Sequence, residues 1–131
     1  MRHYTVTLAD ALEAHDTALA ESGGRPGLRS ESDLLSALGR PYSGYHRPIH
    51  RKAAALLQAI ASNHAFIDGN KRTALILTNL LIEKSGYRLQ PFGREHLNDA
   101  LEDFVVHVVE DHLSLDAIAA WLKERIERKS I

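Results

Sequence analysis

The stretch from Lys71 to Ser85 is apolar on nearly every side, carrying Ala74, Leu75, Ile76, Leu77, Leu80, Leu81 and Ile82. A helix without a polar face has to be surrounded by protein. This predicts a helix buried in the middle of its domain. At 131 residues the chain is long enough for one domain that buries about two-thirds of its unfolded surface without staples. The expected domain spans residues 1–131.

The remaining pattern reads as helices joined by short loops. Leu8, Leu12, His15 and Leu19 form one helical stripe, and Gly23-Gly24-Arg25-Pro26-Gly27 ends it in a loop. Ser30 followed by Asp33 resembles a capping box opening a short helix through Leu34, Leu35 and Leu38. Gly39 to Pro48 reads as a loop. Ile49, Ala53, Leu56, Leu57, Ile60 and His64 share the next helical face, which stops at the turn signature Asp68-Gly69-Asn70. Gly86 stops the apolar helix, and Tyr87–Gln90 reads as a short extended piece. Leu97, Leu101, Phe104, Val105 and Val108 mark another helix. Ser114 caps a last one through Leu115, Ile118, Leu122 and Ile126. The class is all-α, with little room for a sheet and with Trp121 in the core.

Composition excludes several functions. No cysteine means no disulfide, no thiol catalysis and no zinc–thiolate site. Sixteen basic against seventeen acidic side chains give a formal charge of −1, which supplies no global field toward nucleic acid or anionic lipid. No apolar run approaches the ~20 residues of a membrane span. The expectation is a cytoplasmic protein without direct nucleic-acid binding. Eight histidines against three phenylalanines direct attention to polar chemistry.

That chemistry is densest in His64-Ala65-Phe66-Ile67-Asp68-Gly69-Asn70-Lys71-Arg72, between the two most hydrophobic helices. A helix N-terminus offers unpaired N–H groups and partial positive charge, so it favours anions. Gly69 lets the backbone approach a phosphate closely. Lys71 and Arg72 add a point charge and a forked donor. Asp68 is suited to magnesium, which takes one or two carboxylates plus substrate phosphates. His64 is suited to removing a proton near neutral pH. Together these are parts of a phosphoryl- or nucleotidyl-transfer site. The same residues also read as a plain turn, with Asn70 as N-cap, His64 a satisfied buried histidine and two solvated cations.

The stretch His64-x-Phe66-x-Asp68-Gly69-Asn70-Lys71-Arg72 resembles the signature of the Fic/Doc superfamily. Lysine before the arginine, followed by Thr73-Ala74-Leu75, resembles its Doc branch, the "death on curing" toxins. His15-Asp16, the Gly23-Gly24-x-Pro26-Gly27 loop and the short chain extend the likeness over nearly the whole sequence. The resemblance implies the helical Fic fold, with the motif loop between two central helices. It implies His64 as general base, Phe66 as a buried anchor of the loop and Asp68 as the Mg²⁺ ligand. Gly69, Asn70, Lys71 and Arg72 are implied as the nest for ATP phosphates. Fic enzymes that transfer AMP have glycine where this chain has Lys71, and a second arginine where it has Leu75. For Doc proteins the implied outcome is an inverted ATP and phosphorylation of a threonine on the elongation factor EF-Tu, controlled by a Phd-like antitoxin. AMP transfer by the same residues and a non-catalytic binding module are the alternatives.

Four further features carry readings. His15-Asp16 is a weak metal pair and better suited to packing or to the wall of the site. Arg40 and His46 are spaced like a ribonuclease toxin motif but sit in a Pro/Gly-rich loop. Thr17-x-x-x-Glu21-Ser22 resembles the inhibitory helix of some Fic enzymes, but its last residue is wrong, and its glutamate lacks the second arginine that Leu75 replaces. Arg40 to Lys52 carries Arg40, Arg47, Arg51 and Lys52 with no acid, so Arg47 and Arg51 are candidates for docking a target beside His64.

Overall fold

The structure, a computed structural model, describes residues 2–130. Among these, the helices are α1 (Leu8–Ser22), α2 (Glu31–Gly39), α3 (Ile49–Asn63), α4 (Asn70–Lys84), α5 (Leu97–Glu110) and α6 (Leu115–Lys123). A 3₁₀ turn covers Arg40–Tyr42, and two short strands, β1 (Tyr87–Leu89) and β2 (Ile126–Arg128), complete the order. The fold is the helical one expected. Among the described residues no helix is long and apolar enough to cross a membrane.

Helix α4 lies in the middle, packed against α1, α3, α5 and β1. It buries Ala74, Leu77, Leu81 and Ile82, while Leu75, Ile76 and Leu80 stay half-buried. Helix α3 shares the centre and buries nine residues, five of them alanines. The alanines let α2, α4 and α6 come close, since helix separation is set by the side chains at the contact. The centre is thus a pair, α3 and α4, as the resemblance implied. The motif loop is the connection between them.

Three local expectations change. The core face of α1 is Ala11, Ala14, His15 and Ala18, and Leu12 is 41% exposed. At α2, Ser30 caps Asp33 N as expected, but the Asp33 carboxylate pairs with Arg29 rather than closing the box. A complete capping box stands instead at Thr7 and Asp10. Ile126 belongs to β2 and not to α6, and β2 pairs antiparallel with β1 from Tyr87↔Arg128 to Leu89↔Ile126. The cause is Arg125, which is 7% exposed, grips Glu95 at 2.6 and 2.7 Å and lies 3.6 Å over the Trp121 ring. Its anchoring turns the chain out of the helix. Trp121 is half-buried against the core and stacked on Phe104 at 3.9 Å.

Candidate functional site

His64 follows the last residue of α3 and takes the left-handed conformation, φ 54° and ψ 38°. That turn lifts its exposed side chain out of the helix line. The next residues run extended beside the Gly23–Ser30 loop. Arg29 N and Ser30 N donate to Ala65 O at 2.7 and 3.0 Å, Ile67 N donates to Gly27 O at 3.0 Å, and Leu28 bridges Phe66. Arg29 also donates through Nε to His64 O at 2.5 Å. One edge of the motif is thus held like a strand.

Asn70 holds the other edge. Its Oδ1 accepts from Phe66 N at 3.1 Å and its Nδ2 donates to Phe66 O at 3.0 Å. The Phe66 side chain is buried, 2% exposed, and stacks on His15 with centroids 3.9 Å apart. His15, buried in α1, donates from Nε2 to Asp68 O at 2.8 Å. The pairing of His15 with Asp68 joins residues 53 apart in the chain, and the sequence signalled it only as a histidine on the α1 stripe. Both ends of the Asn70 amide are thus committed to Phe66, and its backbone N–H remains for an anion.

Asp68 is exposed, and both of its oxygens already accept backbone N–H groups. Oδ2 accepts from Arg25 N at 3.1 Å and Oδ1 from Gly69 N at 2.9 Å. These bonds, that from Arg25 foremost, lower its pKa below the ordinary aspartate value. Gly69 stands at φ 76° as the N-cap of α4, so the N-cap is not Asn70, and no side chain closes that helix end. The first backbone bond is Thr73 N to Gly69 O at 3.0 Å, which leaves the N–H groups of Asn70, Lys71 and Arg72 for a ligand. Gly24 keeps the loop close, because a Cβ there would lie 3.0 Å from Asp68 Oδ2.

These groups line an open cleft of about 330 Å³, bounded by Ala61, His64, Ile67 and Asp68 to Arg72. Two larger hollows, of about 460 and 560 Å³, lie elsewhere and lack such a helix N-terminus. Convergent chemistry, not size, marks the smaller one. Lys71 is exposed at its rim. Arg72 is not a solvated cation: Nη2 lies 2.8 Å from Glu102 Oε1 and Nη1 lies 3.7 Å from Glu21 Oε2. Glu21 thus faces Arg72, with Leu75 on the following turn.

A magnesium ion fits the donor set. Among the described residues no three His, Cys, Asp or Glu side chains cluster as a metal cage. Asp68 offers one accessible carboxylate with lone pairs to spare, next to a nest for phosphates. Magnesium is held that way, with few protein ligands and with substrate phosphates.

Arg47 and Arg51 do not flank His64. They lie at the N-terminal end of α3, and Arg51 stands about 20 Å along the helix from His64 at 1.5 Å per residue. Arg51 pairs with Asp116 at 2.9 Å. Burial and neighbouring cations push His46 and His50 at that end below the ordinary histidine pKa. The placement beside His64 is corrected: a 15-residue helix intervenes, and the segment that abuts His64 is Arg25–Ser30.

The sequence matches the Fic/DOC family over residues 5–82, which contain α1 through most of α4 and the whole motif. It is 35% identical over 124 residues to the toxin Doc of Mycolicibacterium smegmatis, covering 88% of this chain and 92% of that protein. It is 28% identical over 127 residues to the protein kinase doc of Escherichia phage P1, covering 94% of each. The chain therefore belongs to the Fic/DOC family, on its Doc toxin branch.

Proposed function

We propose that this chain is the toxin of a toxin–antitoxin system and a protein kinase, transferring the γ-phosphoryl group of ATP to a threonine hydroxyl of a translation factor, EF-Tu. The observation that carries this reading is one cleft that joins an exposed histidine on a fixed backbone to an uncapped helix N-terminus bearing Lys71 and Arg72. The names of the two relatives, a toxin and a protein kinase, support it.

His64 accepts the proton of the threonine Oγ–H while that oxygen bonds to the γ-phosphorus. The bond from that phosphorus to the bridging oxygen breaks, and ADP leaves with the electron pair. The backbone N–H groups of Asn70, Lys71 and Arg72 take phosphate oxygens, Gly69 gives them a close approach, and Lys71 adds positive charge where negative charge accumulates. Asp68 would hold Mg²⁺, which supplies charge neutralisation on the phosphates. The half-buried Leu75 offers no second guanidinium for distal phosphates, and Lys71 adds bulk to the nest; both favour the inverted nucleotide over AMP transfer. A Phd-like antitoxin is the proposed partner and the cytoplasm the proposed compartment.

The test is purified chain with EF-Tu and ATP labelled at the α or the γ position, with His64→Ala alongside. The expected result is transfer from the γ position only, reduced about 10²–10⁴-fold in the variant. Transfer from the α position only would establish AMP transfer. No transfer to any of several translation factors would favour a binding module.

A further inference from the structure

Arg72 is the guanidinium of the cleft, and its side chain runs sideways between α1 and α5. Glu102, on α5, holds Nη2 at 2.8 Å, while Glu21, at the end of α1, stands 3.7 Å from Nη1. Helix α5 lies beyond residues 5–82 and is not part of the cleft lining; it reaches the cleft through Arg72. A guanidinium grips phosphate best when two adjacent N–H groups reach two oxygens at once. Here the terminal nitrogens already face carboxylates. A phosphate oxygen that takes the Nη2 hydrogen now on Glu102 displaces that carboxylate. The displaced charge stays on α5, within a few ångströms of the incoming anion, and repels it.

We propose that Glu102 is a positioning residue that sets the polyphosphate affinity of the cleft by holding Arg72 in competition with the ligand. This rests on the reading of the cleft as a polyphosphate site. In the empty cleft Glu102 keeps the long arginine side chain in one place. In the occupied cleft it opposes binding, so the chain holds nucleotide more loosely than its donors alone would dictate. Both partners are partly exposed, Arg72 by 34% and Glu102 by 52%, so the effect is modest and sensitive to salt.

The experiment is calorimetric titration of the full chain with inorganic tripolyphosphate at low ionic strength, with adenosine as the uncharged control. Glu102→Gln keeps an acceptor oxygen for Arg72 but removes the charge. It should bind tripolyphosphate roughly two- to fivefold tighter, with adenosine unchanged, and the gain should fade as salt rises. Glu102→Asp, which keeps the charge, should stay near the wild type. In an Arg72→Gln background the Glu102→Gln change should have little further effect, because the competition runs through the guanidinium. Weaker or equal binding by Glu102→Gln at unchanged thermal stability overturns the proposal, and so does a gain that survives without Arg72. A wild-type chain and a Glu102→Gln chain that both ignore tripolyphosphate overturn the polyphosphate reading and this inference together. The expected affinity order without label transfer from ATP overturns only the kinase reading.

Discussion

Asn70→Ala separates the motif's architecture from its chemistry. The Asn70 amide makes two hydrogen bonds, and both go to the backbone of one residue, Phe66, at 3.1 and 3.0 Å. The opposite edge of that segment is already paired with the Gly27–Arg29 strand-like stretch, so the amide acts as a one-residue second strand. Alanine leaves one N–H and one C=O without their partners beside a buried ring. A lost hydrogen bond costs about 0.5–1.5 kcal/mol net, and more where the remaining group stays dry. Two such losses give about 2–3 kcal/mol, or roughly 6–12 °C in melting temperature for a chain of this size. Asn70→Asp is the control. Its carboxylate still accepts from Phe66 N and gains about 0.3–1 kcal/mol at the first position of α4, but it has no N–H for Phe66 O. It should be destabilised by only about 0–1 kcal/mol, while its negative charge weakens anion binding in the cleft. Urea unfolding and tripolyphosphate titration measure the two effects. An Asn70→Ala chain within about 0.5 kcal/mol of the wild type, or less stable Asp than Ala, would refute the second-strand argument.

Charge reversal of Arg47 should leave label transfer unchanged, since it lies at the far end of α3 from His64; a reduced rate at low salt with unchanged ATP binding would return that segment to target docking. Arg51→Glu places like charge against Asp116 and should lower stability by less than about 1 kcal/mol, read from the urea midpoint. The pH dependence follows from Asp68 and Glu95, whose folded-state pKa values are lowered, by the Arg25 N–H and by the Arg125 guanidinium respectively. Their contribution is complete above the unfolded carboxylate value near 4 and is lost as pH falls through the folded values, so the melting temperature should drop on acidification below about pH 4. His107 acts oppositely: Asp111 raises its pKa, so its contribution is present in mild acid and lost as pH rises through the raised value. Asp68→Asn should flatten the acid limb, and an unchanged limb would remove Asp68 from the acid transition.

What was legible in the sequence is what short-range physics decides. The core faces of α3, α5 and α6 follow from apolar spacing, and the Ser30 cap and the Gly86 stop follow from local hydrogen bonding and backbone freedom. The motif itself was legible because its chemistry is compressed into nine residues. What escaped depends on partners far along the chain. Nothing local distinguishes Leu12, exposed, from Ala11, buried; the difference is where α4 packs on α1. Nothing after Leu122 stops a helix, and the break comes from Glu95, which holds Arg125 from 30 residues away. His15 was seen as a wall, but its bond to Asp68 O exists only after α1 is laid against α4. Arg47 and Arg51 were misplaced for a simpler reason. Proximity in sequence to the helix that delivers His64 was taken for proximity in space, and a helix converts the first into distance.

His64 gives the strongest test of whether the motif's backbone serves chemistry rather than stability. A residue that ends a helix in the left-handed region is most often glycine, because a Cβ there costs about 1–2 kcal/mol. Here a histidine takes φ 54°, and its neighbours hold it. Arg29 donates to the carbonyls of His64 and Asn63 at 2.5 and 3.3 Å, and Asp33 anchors the guanidinium at 3.0 Å. Among the described residues the exposed side chain itself makes no hydrogen bond or ion pair that could offset the backbone cost. His64→Gly therefore relieves strain at the price of greater freedom in the unfolded chain, worth roughly 0.5–1 kcal/mol in the opposite direction. The variant should be as stable as the wild type or up to about 1 kcal/mol more stable, while label transfer is lost. Most substitutions at a fixed loop destabilise, so the sign is diagnostic. Urea unfolding decides it: a loss of more than about 0.5 kcal/mol would mean that the imidazole holds the loop, and that the histidine sits there for structure.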